Sequence, residues 1–172
     1  GLFQLTPLGD EPTLHRMNFG DIDGDGKQEL IVVPLHGRGN TGGPNNWQGD
    51  GLRVLVYKPT PTGNWPVETA DSTLHIAHNF IVTNMDRDKA EEIVVASREG
   101  IHLLDRAKSG TWTRTKLGTG SPGEIKLGAL GKTQRAFATI DPWNGNSVVI
   151  YPAPANPAGE WTHVATAEAF TR

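Results

Sequence analysis

Apolar residues along this chain fall in short runs of about six, alternating with polar ones or nearly continuous, and no stretch repeats its apolar positions with a helical period. The runs come in three matching sets. HRMNFG from His15, HNFIVT from His78 and GEIKLG from Gly123 alternate at Met17/Phe19, Phe80/Val82 and Ile125/Leu127. Each is followed by a β-branched run: QELIVVPL from Gln28, EEIVVASR from Glu91 and AFATIDPW from Ala136. A third run then appears, LRVLVYKP from Leu52, GIHLLDRA from Gly100 and SVVIYPAP from Ser147. A tryptophan mark closes each set, GNW at Trp65, GTW at Trp112 and GEW at Trp161. Short apolar runs bounded by Gly, Pro, Asn and Ser predict strands, and tight punctuation between second, third and fourth runs predicts antiparallel hairpins.

Four short strands repeated about every 45 to 60 residues predict an all-β chain built of β-propeller blades, each sheet burying both faces against its neighbours. The expected blades span residues 14–70, 71–120 and 121–172, with residues 1–13 as the outer strand of a preceding blade. Propellers usually close with about four to eight blades. Three blades therefore lead us to expect further ones, in the same protein or in a second chain. A self-contained β-sandwich is the competing architecture. Trp65, Trp112 and Trp161, like Tyr57 and Tyr151, recur at repeat positions, which marks them as packing residues.

Composition narrows the function classes. The 172 residues carry a net charge of −3, with no basic stripe, so no nucleic-acid partner is expected. No apolar run approaches the ~18 residues that span a bilayer, so the chain reads as soluble with no membrane partner. There is no cysteine, which excludes disulfides and thiolate chemistry. Phosphate-binding loops and a GxSxG nucleophile elbow are absent as well.

Two acidic loops join first and second strands. GDIDGDGKQEL offers oxygens at alternating positions, Asp21, Asp23, Asp25, the Lys27 carbonyl and Glu29, with Gly24 and Gly26 permitting the tight backbone. That spacing wraps ligands around one hard cation such as calcium. Val32 at the twelfth position rules out an EF-hand loop. The second unit repeats the spacing with Asn84, Asp86, Asp88, the Ala90 carbonyl and Glu92, but Arg87 and Lys89 replace the glycines, so a weaker site is expected there. The third unit has GALGKTQ and no carboxylate. An Asx-rich turn without metal is the alternative for both loops.

DIDGDGKQELIVV and NMDRDKAEEIVVAS resemble the FG-GAP or VCBS type of repeat found in calcium-binding, commonly seven-bladed propellers, so the resemblance implies a seven-bladed ring when complete. The longer phrases HNFIVTNMDRDKAEEIVVASREGIHLL and VVPLHGRGN…GLRVLVY resemble, more narrowly, the propeller domains of fungal aldos-2-ulose dehydratase and of rhamnose–glucuronate lyases. The resemblance implies a sugar-directed elimination at the centre of the propeller.

The end of each blade opposite the acidic loops gathers reactive residues. His15 and His78 stand at equivalent places in their repeats, while Gly123 occupies the third. A long loop, residues 35–51, follows the second strand of the first unit and carries His36, Arg38 and Trp47. Its counterparts carry Arg98 and Glu99, and then Asp141, Trp143 and Asn144. Histidine, arginine and an aromatic platform together suit β-elimination from a sugar acid or ketose. His78 or His36 would serve as base, Arg38 would hold the developing charge, and His15 would act as acid or substrate contact. Trp47, Arg98, Glu99, Trp143 and Asn144 would bind the sugar or polysaccharide substrate. Three other readings remain open: His15 and His78 as interior histidines bonding across blades, His15, His36 and His78 around a zinc-type ion, and Arg98 and Glu99 simply pairing with each other. A non-catalytic, lectin-like propeller is the alternative function; the lack of repetition among these residues favours one central site.

Overall fold

A computed structural model describes residues 4–40, 49–143, 145–156 and 159–165. Among them, twelve strands form three antiparallel four-stranded sheets. The first sheet runs β1 (Leu14–Gly20), β2 (Glu29–Pro34), β3 (Val54–Tyr57) and β4 (Val67–Asp71). The second runs β5 (Ala77–Thr83), β6 (Glu92–Ser97), β7 (Gly100–Arg106) and β8 (Trp112–Gly118). The third runs β9 (Glu124–Leu130), β10 (Gln134–Asp141), β11 (Ser147–Pro152) and the two-residue β12 (Val164–Ala165). Strands are neighbours in chain order throughout, and β5 lies against both β1 and β9. The chain is thus three consecutive blades of a β-propeller, with the first strand of each blade innermost.

Side-chain alternation explains why the second and third strands are nearly all apolar. Ile31, Val33, Val54 and Val56 leave one face of the first blade and pack on Phe80, Ile93, Val95 and Leu104 of the second. Their neighbours Val32, Leu55 and Tyr57 leave the other face, where Trp65 packs. Val94, Ala96, Ile101 and Leu117 in turn meet Ile125, Phe137, Val149, Tyr151 and Trp161 of the third blade. Trp161 is fully buried and stacks on Phe137 with centroids 4.3 Å apart. The second sheet is therefore buried on both faces, which an amphipathic alternation would not permit.

Residues 4–11 form no strand, in contrast to the outer strand expected there. What the segment does is bury Glu11, whose carboxylate accepts from Arg53 and from Arg38. No helix long and apolar enough to cross a membrane is present among the described residues.

Candidate functional site

His15 and His78 stand out in the strand registers. Leu14 pairs with Pro34 and Arg16 with Val33, so His15 has no cross-strand partner. Ala77 pairs with Ser97 and Asn79 with Ala96, so His78 has none either. Both histidines are bulged residues at the same place in successive innermost strands, and a bulge re-aims its side chain out of the sheet's alternation. Their rings meet, centroids 4.8 Å apart and tilted by 58°. On the far side of His78 the indole of Trp143 approaches edge-on at 5.6 Å. One residue from each blade therefore contributes to a row of three rings.

The third blade breaks the histidine pattern for a steric reason. Its β9 pairs with β10 without a bulge. A Cβ on Gly123 would also collide with the backbone of Trp143, whose amide donates to the Ser121 carbonyl. Glycine there makes room for the tryptophan, which itself adopts a left-handed φ of 49°.

His36 joins this face through its backbone. It bridges Ile76 of the next blade, and its amide donates to Thr13 Oγ1 while its carbonyl accepts from the same hydroxyl, both at 3.0 Å. Burial lowers the pKa of His36. His15 is lowered by burial first, then by the nearby charges of His78, Arg16 and His36. Both imidazoles are thus neutral at neutral pH. The Nδ1 atoms of His36 and His78 are buried with no hydrogen-bond partner among the described residues.

The long loop begins in a closed neck. Asp50 N–H donates to the Arg38 carbonyl at 2.9 Å, the Asn40 amide donates to the Gly37 and Asp50 carbonyls, and Asn40 Oδ1 accepts from Gly49. Gly37 lies so close to the Asp50 carbonyl that no Cβ fits. Arg38 anchors this neck: its Nη2 donates to Glu11 Oε2 at 3.0 Å and to the Asp10 carbonyl at 3.3 Å. Nε and Nη1 make no hydrogen bond among the described residues, so the anchored guanidinium still presents donors outward. Trp47 and Asn144 lie outside the described residues.

Glu99 takes a different partner from the expected Arg98. Its Oε1 accepts from the His75 amide at 2.9 Å and lies 3.0 Å from His75 Nδ1, while Oε2 is buried and unpartnered among the described residues. Arg98 is tied through its own amide to the Ile76 carbonyl, beside His36. Asp141, two residues before Trp143, accepts from Tyr151 Oη at 3.0 Å, and burial raises its pKa.

At the opposite end of the blades, the two acidic loops face each other. Asp21, Asp23 and Glu29 place ligand oxygens within 4.8 Å of one another, and so do Asp86, Asp88 and Glu92. These are the groups of carboxylate and imidazole side chains among the described residues that could hold a metal, and the three histidines are not such a group. Glu29 is only 3% exposed; its Oε2 accepts from the Ile22 amide while Oε1 has no partner, and Asp21 Oδ1 is likewise buried and unpartnered. That donor set, all hard oxygens with two left unserved, fits a calcium-type ion. Asp25 points elsewhere, its Oδ1 accepting from the Lys27 amide and its Oδ2 from Lys58.

In the second loop Arg87 has a φ of 72°, the same as Gly24 in the first, so a side chain sits where the backbone favours glycine. Asn84 turns its amide inward and donates to the Asp88 and Ala90 carbonyls. Glu92, 2% exposed, accepts from the Met85 amide, and burial raises its pKa to about 7. The loops are also stitched to the following blade. Glu91 Oε2 accepts from the Asp21 amide at 3.0 Å, and Arg135 donates to the Asn84 carbonyl at 3.1 Å. A cleft of about 670 Å³ opens between the loops, lined by Asp23, Asp25, Lys58, Asp86, Asp88 and Asp105 among others.

Sequence reasoning passed over Glu11, Lys58 and Asp105. Glu11 carries no repeat signal. Lys58 and Asp105 were legible in principle, since both directly follow the third-strand apolar run of their units.

A family model described as aldos-2-ulose dehydratase, beta-propeller domain, matches residues 3–170 of the chain. No curated protein matches it.

Proposed function

Since the chain belongs to the aldos-2-ulose dehydratase β-propeller family, we propose that its histidine face removes water, or an alkoxide leaving group, from a sugar by β-elimination. The observation that carries this reading is the bulged pair His15 and His78, in ring contact with each other and, through His78, with Trp143. A general base needs a neutral imidazole, the form that burial favours in His36, and the Nδ1 atoms of His36 and His78 have no competing hydrogen-bond partner among the described residues. His78 or His36 takes the proton beside the sugar carbonyl. Arg38, anchored on Glu11, directs its outward donors at the developing enolate or at a carboxylate. His15, the most exposed of the three, donates a hydrogen bond to the leaving oxygen, whose proton returns from the imidazolium formed at the base or comes from water, and Trp143 supports the sugar ring.

The test is incubation of the intact protein with aldosuloses and with uronate-containing glycans, followed through the ultraviolet absorbance of the conjugated carbonyl product. The expected result is a rise that His78→Ala and His36→Ala abolish. A flat trace with glycan binding retained and lost in Trp143→Ala assigns the face to a lectin-like function instead.

The first acidic loop is proposed to hold a structural calcium on Asp21, Asp23 and Glu29, as the likeness to FG-GAP and VCBS repeats implies; the orphaned Glu29 and Asp21 oxygens support it. Chelation is expected to lower the thermal midpoint of the intact protein, and calcium, not magnesium, to restore it. The flanks of the arc are proposed to carry further blades. Met17, Phe19 and Val67 on one side and Ile140, Val148 and Val164 on the other are exposed apolar residues on sheet faces that match those buried between the described blades. Met17 is accordingly expected to resist peroxide in the intact native protein.

A further inference from the structure

Leu30 pairs with Tyr57 in the first blade, which puts Lys58 across from Glu29, the last carboxylate of the first acidic loop. Ile93 pairs with Leu104 in the second, which puts Asp105 across from Glu92. The same position in two successive blades thus carries opposite charges. In the second blade Asp105 adds a carboxylate to the cleft wall that Asp86 and Asp88 form. In the first, the Lys58 ammonium donates to Asp23 Oδ2 at 2.5 Å and to Asp25 Oδ2 at 3.0 Å.

That ammonium does not satisfy the loop. It reaches the two outer carboxylates, while Glu29 Oε1 and Asp21 Oδ1, buried below, stay without a partner. Glu29 is 97% withdrawn from solvent, since its residual exposure is 3%. An ammonium is a point donor with three N–H bonds on a long stem and cannot reach every oxygen of such a cup. A divalent ion drawing on Asp21, Asp23 and Glu29 can, but Asp23 must first let Lys58 go.

We infer that Lys58 is an internal competitor for the cation of the first acidic loop, a tethered ammonium that holds Asp23 and Asp25 when no ion is bound and must be displaced when one enters. The inference rests on the calcium reading of that loop. Its consequence is a site that exchanges its ion readily and keeps its fold without one. Glycine content alone ranks this loop above the second, and Lys58 acts against that ranking. In energetic terms, the apparent affinity equals the intrinsic affinity multiplied by the fraction of molecules in which Lys58 has left Asp23.

The experiment is calorimetric titration of the intact protein with calcium chloride in an Asp86→Asn/Asp88→Asn background, so that the first loop alone reports. Lys58→Met is expected to bind calcium about tenfold tighter or more, Lys58→Arg to keep the parent affinity, and Glu29→Gln to lose the heat signal. A Lys58→Met affinity equal to or below the parent's overturns the competitor role while leaving the calcium site standing. Absence of binding in both the parent and Lys58→Met overturns the calcium reading, and this inference with it. A readout on the unmutated protein needs no variant to fold: Lys58 is expected to be acylated by an N-hydroxysuccinimide ester faster with calcium than without, as read by peptide mass spectrometry. Equal rates speak against displacement.

Discussion

The imidazoles of His15 and His78 stand 4.8 Å apart, and each belongs to the one residue of its strand that the cross-strand register skips. Ordinary alternation would have sent these rings toward the blade interfaces. The bulges turn them toward each other at the inner edge of the arc, where His36 adds its charge to the field that His15 feels.

That proximity is measurable. Burial and then the charge of His78 hold His15 below its ordinary pKa of 6.5. In a proton NMR titration, His78→Ala is expected to move the His15 midpoint upward, though not all the way, because the burial contribution remains. An unmoved midpoint would show that the two rings do not sense one another.

Gly123 is the residue that lets Trp143 join them. Gly123→Ala places a methyl against the Trp143 backbone. An overpacking cost of about 1–3 kcal/mol is expected, together with a changed near-ultraviolet circular dichroism signal as the indole leaves His78. Retention of both stability and signal would contradict the close approach.

His102 sets an acid limit on stability. Buried in β7, with Nδ1 3.3 Å from Ser97 Oγ, it is pushed down to about 4 by burial and then by the charges of Arg114 and Lys116. The unfolded chain takes up this proton near 6.5, the folded one only near 4. Stability is therefore intact above about pH 6.5 and falls as pH drops toward 4, by on the order of 3 kcal/mol in full. Urea unfolding at several pH values should show this slope, and His102→Gln should flatten it. An unchanged slope would assign the acid sensitivity to other groups.

Glu11 is shifted in the same direction for a different reason, an ion pair rather than burial. The Arg53 hydrogen bond, assisted by Arg38, holds its carboxyl below 4.5 despite burial, so its contribution is complete above that pH and is lost as pH falls below it. Glu11→Gln is expected to cost about 1–3 kcal/mol and to loosen the loop neck, seen as faster amide exchange at Gly49 and Asp50. Exchange left at the parent rate would mean that the neck holds without this anchor.

Much of this protein is written in its local pattern. Strand positions, the three-fold repetition and the two acidic loops are set by alternation, β-branched runs and Asx spacing, all of which act over a few residues, and the three sheets run where those runs lie. The convergence of His15 and His78 was legible because a repeat places equivalent residues on adjacent strands. The fourth strands were visible only as tryptophan marks, of which Trp161 is fully buried and stacked on Phe137.

Tertiary structure alone decided the rest. Whether Glu99 meets Arg98 or His75, whether Arg38 is free or leans on Glu11, and whether Lys58 reaches Asp23 depend on how sheets stack, and no nearest-neighbour pattern encodes that. The bulges belong to the same class, since a skipped residue is defined only against the strand it skips. Sequence by itself determined which segments become strands, because backbone preference and burial pattern are local; which charges cancel and which stay available was decided by packing, because electrostatic partners are chosen across the chain by distance in space.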